Sequence, residues 1–363
     1  MKKNIFCFTF LLASSFIFLS CSKEPNVAPE ADVELQSSID ASFANFIVTD
    51  IDMICSFIGE NNLYPKFYTP VAGSPTFVVN RDPDAKQLSI SFNKTKCADG
   101  RVRDGSIIIK YAYDATVSNV NPPNTDYYRQ FGFVGRVSLI GYRVDGWLVK
   151  KKTGTTYDLI IRNKRPNADR PIVDKISWTI EGKLELTDSL NTLPSITWEG
   201  LITKTLPLIA DPKAENDYGF KQDSVFKNTP KSFLDVNPVN WQKAKVYYTG
   251  SFTGVTSFSL PYSYKIYDAT PVERNFTCYP DKVSGVTLTN TVGVVSASYE
   301  EFHPFVGGVA SFTTSTKYPR EIYFDNTANS FGGTDNPLNL PSQCDNKAAV
   351  QIKGIYYPID LKK

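Results

Sequence analysis

From about residue 74 onward apolar and polar side chains alternate with a period of two, a pattern that restricts the chain to β-strands with one buried and one wet face. The clearest case is 174–187. Ile176, Trp178, Ile180, Gly182, Leu184 and Leu186 fall on one face, and Ser177, Thr179, Glu181, Lys183, Glu185 and Thr187 on the other. Residues 195–203 repeat the code with Ile196, Trp198, Gly200 and Ile202. Asp188-Ser189-Leu190-Asn191 between them reads as a turn, so the two form an antiparallel hairpin. The same pattern places strands at 87–93, 105–114, 131–138, 142–150, 155–162, 243–253, 258–268, 283–290, 292–300, 319–324, 346–353 and 355–361, the last two joined at Lys353-Gly354. These are about fourteen strands on short turns with no helices between them, and parallel sheets need long crossovers. The expectation is therefore an all-β fold, an antiparallel β-sandwich or barrel-like meander. Frequent Val, Ile and Thr and 13% aromatic residues agree with it.

Residues 31–58 differ. Leu35, Ile39, Phe43, Phe46, Ile47, Ile51, Ile54 and Ile58 recur at helical spacing, which predicts a short N-terminal helical segment, either continuous or broken near Thr49-Asp50, with one face on the domain. The stretch 59–206 is then a first β half and 241–363 a second, either separate or one domain with the first. Between them 207–240, with Pro207, Pro212, Pro230 and Pro238, reads as a linker or long excursion. Residues 180–187 and 283–289 resemble each other, as two related halves would or as β-hairpins do in general.

The amino terminus carries Lys2 and Lys3, then an apolar stretch from Ile5 to Leu19, then Ser20-Cys21. This is the layout of a secretory signal peptide over 1–20, and its apolar part is shorter than the ~20 residues of a spanning helix. Leu19-Ser20-Cys21 resembles the lipobox of bacterial lipoproteins. The resemblance implies cleavage before Cys21, lipid on that cysteine, and attachment to a membrane through it. Residues 21–30, polar and containing Pro25 and Pro29, read as a flexible tether. Ser22 after the cysteine resembles lipoproteins sorted to the outer membrane, with the periplasmic or the outer face left open.

Removal of Lys2 and Lys3 with the signal leaves 37 basic against 37 acidic residues. A neutral chain without a basic run argues against nucleic acid as a partner. Of six cysteines, Cys7 leaves with the signal and Cys21 takes the lipid, so Cys55, Cys97, Cys278 and Cys344 remain. An even number in an exported chain points to two disulfides. Three pairings are open, and Cys55–Cys97 with Cys278–Cys344, which closes a loop within each half, is favoured. Spacings of 42, 181 and 66 residues contain no close pair of the kind a zinc site uses.

Four stretches, in order, resemble an uncharacterised family of Bacteroidota lipoproteins: Cys97-Ala98-Asp99-Gly100-Arg101 through Ile109; Gly182-Lys183-Leu184-Glu185-Leu186-Thr187 with Ile196-Thr197-Trp198; Cys278 with Val283-Ser284-Gly285; and Cys344-Asp345-Asn346 with Gly354-Ile355-Tyr356-Tyr357. Cys55 also suits that family's early cysteine. The resemblance implies an exported β protein and supplies no chemistry.

Candidate chemistry is sparse. The single histidine, His303, stands between Phe302 and Pro304 with no nucleophile elbow in the chain, and reads as structural or surface. Glu181, Glu185 and Glu199 share the wet face of one hairpin, where paired carboxylates for glycoside hydrolysis would stand, but they alternate with Thr, Ser and Lys as on an ordinary solvated strand. Asp99, Arg101, Arg103 and Asp104 read as an anion or sugar contact or, more simply, as Arg–Asp pairs around a turn set by Gly100 and Gly105. Asp325, Asn326, Asn329, Asp335 and Asn336 offer oxygens without a calcium-loop spacing. Asp188-Ser189-Leu190 and Asp223-Ser224-Val225 resemble a short O-glycosylation signal, at Ser189 and Ser224. No cofactor or metal is expected and no catalytic residue is assigned. The reading leans away from an enzyme and toward a lipid-anchored envelope module. Its expected partners are the membrane, through Cys21, and an envelope protein or glycan.

Overall fold

The structure, a computed structural model, describes residues 31–59, 68, 70–82, 84–113, 133–163, 175–190, 192–207, 245–275, 305–315, 318–324 and 347–361. The signal and tether, the expected strands at 283–290 and 292–300, His303, Cys278, Cys344, Ser224, the 325–336 oxygens and nearly all of 207–240 lie outside them.

Among the described residues one helix, α1 (Ala31–Gly59), precedes sixteen strands. They are β1 (Val78–Asp82), β2 (Gln87–Lys96), β3 (Val102–Tyr113), β4 (Phe133–Val144), β5 (Trp147–Lys151), β6 (Leu159–Asn163), β7 (Lys175–Thr187), β8 (Ile196–Pro207), β9 (Lys245–Val255), β10 (Pro261–Ile266), β11 (Val272–Asn275), β12 (Phe305–Gly307), β13 (Val309–Thr314), β14 (Arg320–Phe324), β15 (Lys347–Ile352) and β16 (Ile355–Asp360). All belong to one antiparallel sheet that runs in chain order from β1 to β16, and β1 and β16 are not paired with each other among the described residues. The β8–β9 ladder, from Glu199↔Thr253 to Thr205↔Tyr247, carries the sheet across the proline-rich 207–240 stretch and joins the two halves.

Two adjacent stretches are single strand paths interrupted by an outward excursion. β5 and β6 both lie between β4 and β7, with 152–158 looping out between them. β10 and β11 both pair with β9, with 267–271 between them. The expected strands 131–138 and 142–150 are corrected by the backbone. β4 runs through Gly141, which adopts φ +59° inside the strand, and the turn falls at Asp145-Gly146, both at positive φ as a tight hairpin turn requires. The freedom of Gly141 serves a bulge, where the β3–β4 register shifts between Asp104 and Ser106.

The helix stands where it was expected, at 31–59 against 31–58, and differs in how it packs. It is continuous from Ala31 to Gly59 with no interruption at Thr49-Asp50. Thr49 Oγ1 donates back to the Phe46 carbonyl at 2.9 Å, a bond that occupies the hydroxyl without breaking the helix. Nor does one face alone pack. From Ser37 to Ser56 every residue except the half-buried Ile39 is buried, the polar ones included. A helix buried on all sides needs sheet on all sides. Phe43 meets Trp147 of β5 at 5.8 Å, Asp50 reaches β3 and β11, and Asp52 reaches β8. The inner faces of the strands and the helix form one apolar core, with Trp178, Trp198, Tyr248 and Phe252 among its largest members. The sheet is thus an open barrel curled round α1, and the helix fills the interior that a barrel of this size otherwise leaves for a ligand.

Candidate functional site

Strand glycines shape the outer face of β7–β10. Gly182 and Gly200 pair directly across β7 and β8, at positions that point inward by alternation. A Cβ on Gly200 would lie 2.6 Å from the Phe252 Cα, and one on Gly182 would lie 2.6 Å from Leu159 Cδ2. Only glycine lets the neighbouring backbones come this close. On the outer side the cross-strand row Lys183, Glu199, Thr253, Ser263 runs beside the row Glu181, Leu201, Ser251. The 152–158 excursion rises beside them. Its base is fixed by the Lys152 amide donating to the Lys183 carbonyl at 2.8 Å, and the Asp158 carboxylate accepts from the Leu139 amide at 2.9 Å. The result is an open groove of about 800 Å³ whose wall carries Thr155, Thr156 and Tyr157.

The groove's charges are ordered. Glu199 accepts from the Lys183 ammonium on its Oε1 side and stands 3.6 Å from Lys152 Nζ on the other. The Lys183 bond holds its carboxyl below the usual range. Glu185, one turn of the pleat away, lies 3.6 Å from Lys150 and accepts from Ser195 Oγ at 2.9 Å. The three glutamates of the hairpin are therefore on the outer face as expected. Glu199, however, is a paired anion, the opposite of the raised-pKa carboxyl that donates a proton in glycoside hydrolysis.

A second cluster lies inside. Arg103 Nη2 donates to Asp50 Oδ2 at 2.9 Å and to Asp99 Oδ2 at 2.6 Å, all three fully buried. Arg274 Nη2 reaches Asp50 Oδ1 at 3.3 Å, to which the Tyr68 hydroxyl also donates at 2.8 Å. Burial opposes the Asp50 charge, but Arg103 and Arg274 override it and its carboxyl lies below the usual range. For Asp99 burial outweighs Arg103 and the carboxyl lies above it. Lys204 Nζ lies 2.7 Å from Asp52 Oδ2, donates to Ser56 Oγ at 2.7 Å and sits 4.9 Å from the Trp178 ring. Burial lowers its ammonium to about 8. The charges around Cys97 are thus structural pairs about a turn in which Gly100 takes φ +79°, with Arg101 bound to Asp145 at 2.7 Å. Asp99, Arg101 and Arg103 are buried on the helix side, whereas Asp104 faces outward and accepts from the Lys94 amide at 3.2 Å.

Cys55 and Cys97 are free buried thiols, so the expected bond between them is not formed. Cys97 Sγ points to the Thr95 carbonyl at 3.8 Å, and burial raises this thiol to about 12. Cys55, on α1, is raised too, by burial and then by Asp52. Ser189 occupies an exposed turn between β7 and β8. Among the described residues no group of three or more metal-ligating side chains gathers, and no helix is long and apolar enough to cross a membrane.

No family model, no curated protein and no solved structure matches the chain. The groove, composed of outer-face residues and the 152–158 wall, is the site to which a function is attached below.

Proposed function

We propose that this chain is an outer-membrane lipoprotein of the bacterial cell envelope, anchored through Cys21, that binds a glycan non-catalytically in the groove across β7–β10. The groove itself carries the reading. It is open, about 800 Å³ in volume, and offers hydroxyls from Thr155, Thr253 and Ser263, the paired charges of Lys183 and Glu199, and apolar surface from Leu201 and Tyr157. Sugars present that mixture: hydroxyls that take bidentate and charge-assisted bonds, and C–H faces that settle on rings and branched side chains. The signal layout, the lipobox-like Leu19-Ser20-Cys21 and the resemblance to Bacteroidota lipoproteins support the anchor and the compartment.

The test is binding of the purified mature lipoprotein in detergent to an array of envelope and host oligosaccharides. Thr253→Arg, which fills the groove from an exposed outer position, and Glu199→Gln are expected to weaken any hit by about tenfold or more, a loss of ~1.4 kcal/mol. A hit indifferent to Thr253→Arg places the ligand elsewhere, and an array without hits rejects the glycan. Incorporation of labelled palmitate that Cys21→Ser abolishes tests the anchor.

A further inference from the structure

The three glutamates of the β7–β8 hairpin are answered unequally. Glu185 has Lys150 at 3.6 Å and accepts from the Ser195 hydroxyl at 2.9 Å. Glu199 takes the Lys183 ammonium on one oxygen and has Lys152 3.6 Å from the other. Glu181 alone has neither a cation nor a hydrogen-bond partner among the described residues. Its cross-strand neighbours are apolar, Ile160 of β6 on one side and Leu201 of β8 on the other. The nearby cations are turned elsewhere. Lys183, two residues along β7, donates to Glu199. Arg136, next in the row beyond Ile160, holds its guanidinium 5.6 Å from the Tyr157 ring. Arg162 stands opposite Thr179, not opposite Glu181.

Glu181 lines the groove, and so do both of its apolar neighbours. The charged residues of the lining are Glu181, Lys183 and Glu199. Lys183 and Glu199 satisfy each other, so one negative charge remains, set between two apolar side chains of which Leu201 is 45% exposed. A concave surface focuses the field of such a charge on whatever enters it. The ligand that answers it carries a cation on a skeleton with C–H faces. The cation makes a charge-assisted hydrogen bond to the carboxylate, and the C–H faces settle on Leu201 and Ile160. A neutral sugar meets the apolar flanks and leaves the charge unanswered, and an acidic sugar is repelled by it. We infer that the groove selects glycans with a free amine, amino sugars that are not N-acetylated, and that Glu181 reads the ammonium. The inference rests on the glycan reading above and narrows it.

Glucosamine oligomers of equal length, one with free amines and one N-acetylated, test it when added to the array and titrated calorimetrically into the mature lipoprotein. The free-amine member is expected to bind about fivefold more tightly, the reach of an exposed ion pair, and to lose that advantage in ~1 M salt. Glu181→Gln is expected to bring the ratio close to one. Glu185→Gln, on the same strand face but paired with Lys150 outside the groove lining, keeps the preference. Equal affinity for the two members, or array hits confined to neutral or acidic glycans, overturns the amine and leaves the glycan reading standing. A preference that survives Glu181→Gln removes Glu181 from the role. Spermidine that displaces the oligomer at equal concentration shows that the carboxylate reads charge alone, and the amino-sugar assignment fails. An array without any hit rejects the glycan reading and the inference with it.

Discussion

Asp50 of α1 and Arg103 of β3, 53 residues apart, meet inside the barrel through two hydrogen bonds to one carboxylate oxygen, from Nε at 3.2 Å and Nη2 at 2.9 Å. Arg103 also serves Asp99, so its removal takes a cation from two buried carboxylates at once and leaves Asp50 with Arg274 and the Tyr68 hydroxyl. Arg103→Met is expected to lower stability by about 3–5 kcal/mol, and Asp50→Ala by a similar amount, measured as the shift in urea midpoint at constant slope. Asn45, five residues nearer the amino terminus and equally buried, has no hydrogen-bond partner for its amide among the described residues. Asn45→Leu, which removes an unsatisfied group, is expected to cost less than about 1 kcal/mol or to stabilise. Equal losses at the two positions refute the distinction.

Lys204 gives stability a sign with pH. Burial lowers its ammonium from 10.5 to about 8 in the fold, so between those values the unfolded chain binds the extra proton. Stability attributable to this group therefore rises with pH from about 8 upward and is flat below. The raised Cys55 and Cys97 thiols run the other way above their unfolded values, and Lys204 acts on Cys55, so the effect belongs in the difference between Cys55→Ser and Cys55→Ser/Lys204→Met, where Cys97 cancels. That difference is expected to grow by about 1–2 kcal/mol from pH 8 to 9.5 in urea titrations. A constant difference shows that Lys204 keeps an ordinary pKa.

The two described thiols are buried and held protonated, so neither is nucleophilic. Iodoacetamide is expected to leave Cys55 and Cys97 unlabelled in the native protein and to label both in guanidinium without reductant. Labelling that appears only after reduction restores the disulfide between them.

Gly200 sets the floor of the groove. Gly200→Ala brings a Cβ to 2.6 Å from both the Phe252 Cα and the Ser251 carbonyl oxygen, backbone atoms that cannot swing aside. A loss of about 1–3 kcal/mol in thermal or urea unfolding is expected. Gly200→Ala with parental stability means that β8 and β9 separate easily there, and the groove is then not a fixed shape.

The sheet was legible because alternation survives wherever a strand has one wet face, as in Ile176 to Leu186. It failed where inner-face residues are charged. Arg103 and Lys204 point into the core, yet in sequence each looks like a solvated position, and so β3 and β8 extend beyond their expected ends. The helix misled for the same reason. Asp50 and Asp52 resemble a wet face, and nothing local distinguishes water from an arginine 53 residues away. Short strands such as β11 and β12 hold too few residues for a period to show. Of the groove, Glu181, Lys183 and Glu199 were visible on the wet face of one hairpin. Its wall was not, because the 152–158 excursion interrupts a strand path that only pairing to β4 and β7 reveals.

The buried helix also dictates an order of events. Asp40 waits for Ser257, 217 residues downstream, and Asp50 for Arg274, 224 residues downstream, so a helix synthesised before every described strand is among the last elements to find its place. Contacts of such sequence separation make closure slow, and a slow step leaves partly built species exposed to association. A wholly apolar plug would be a hazard through that interval. One carrying Asp40, Asp50 and Asp52 stays hydrated until the cations of β3, β8 and β11 arrive, so the acids that stiffen the finished core also act as solubilising groups in the unfinished one.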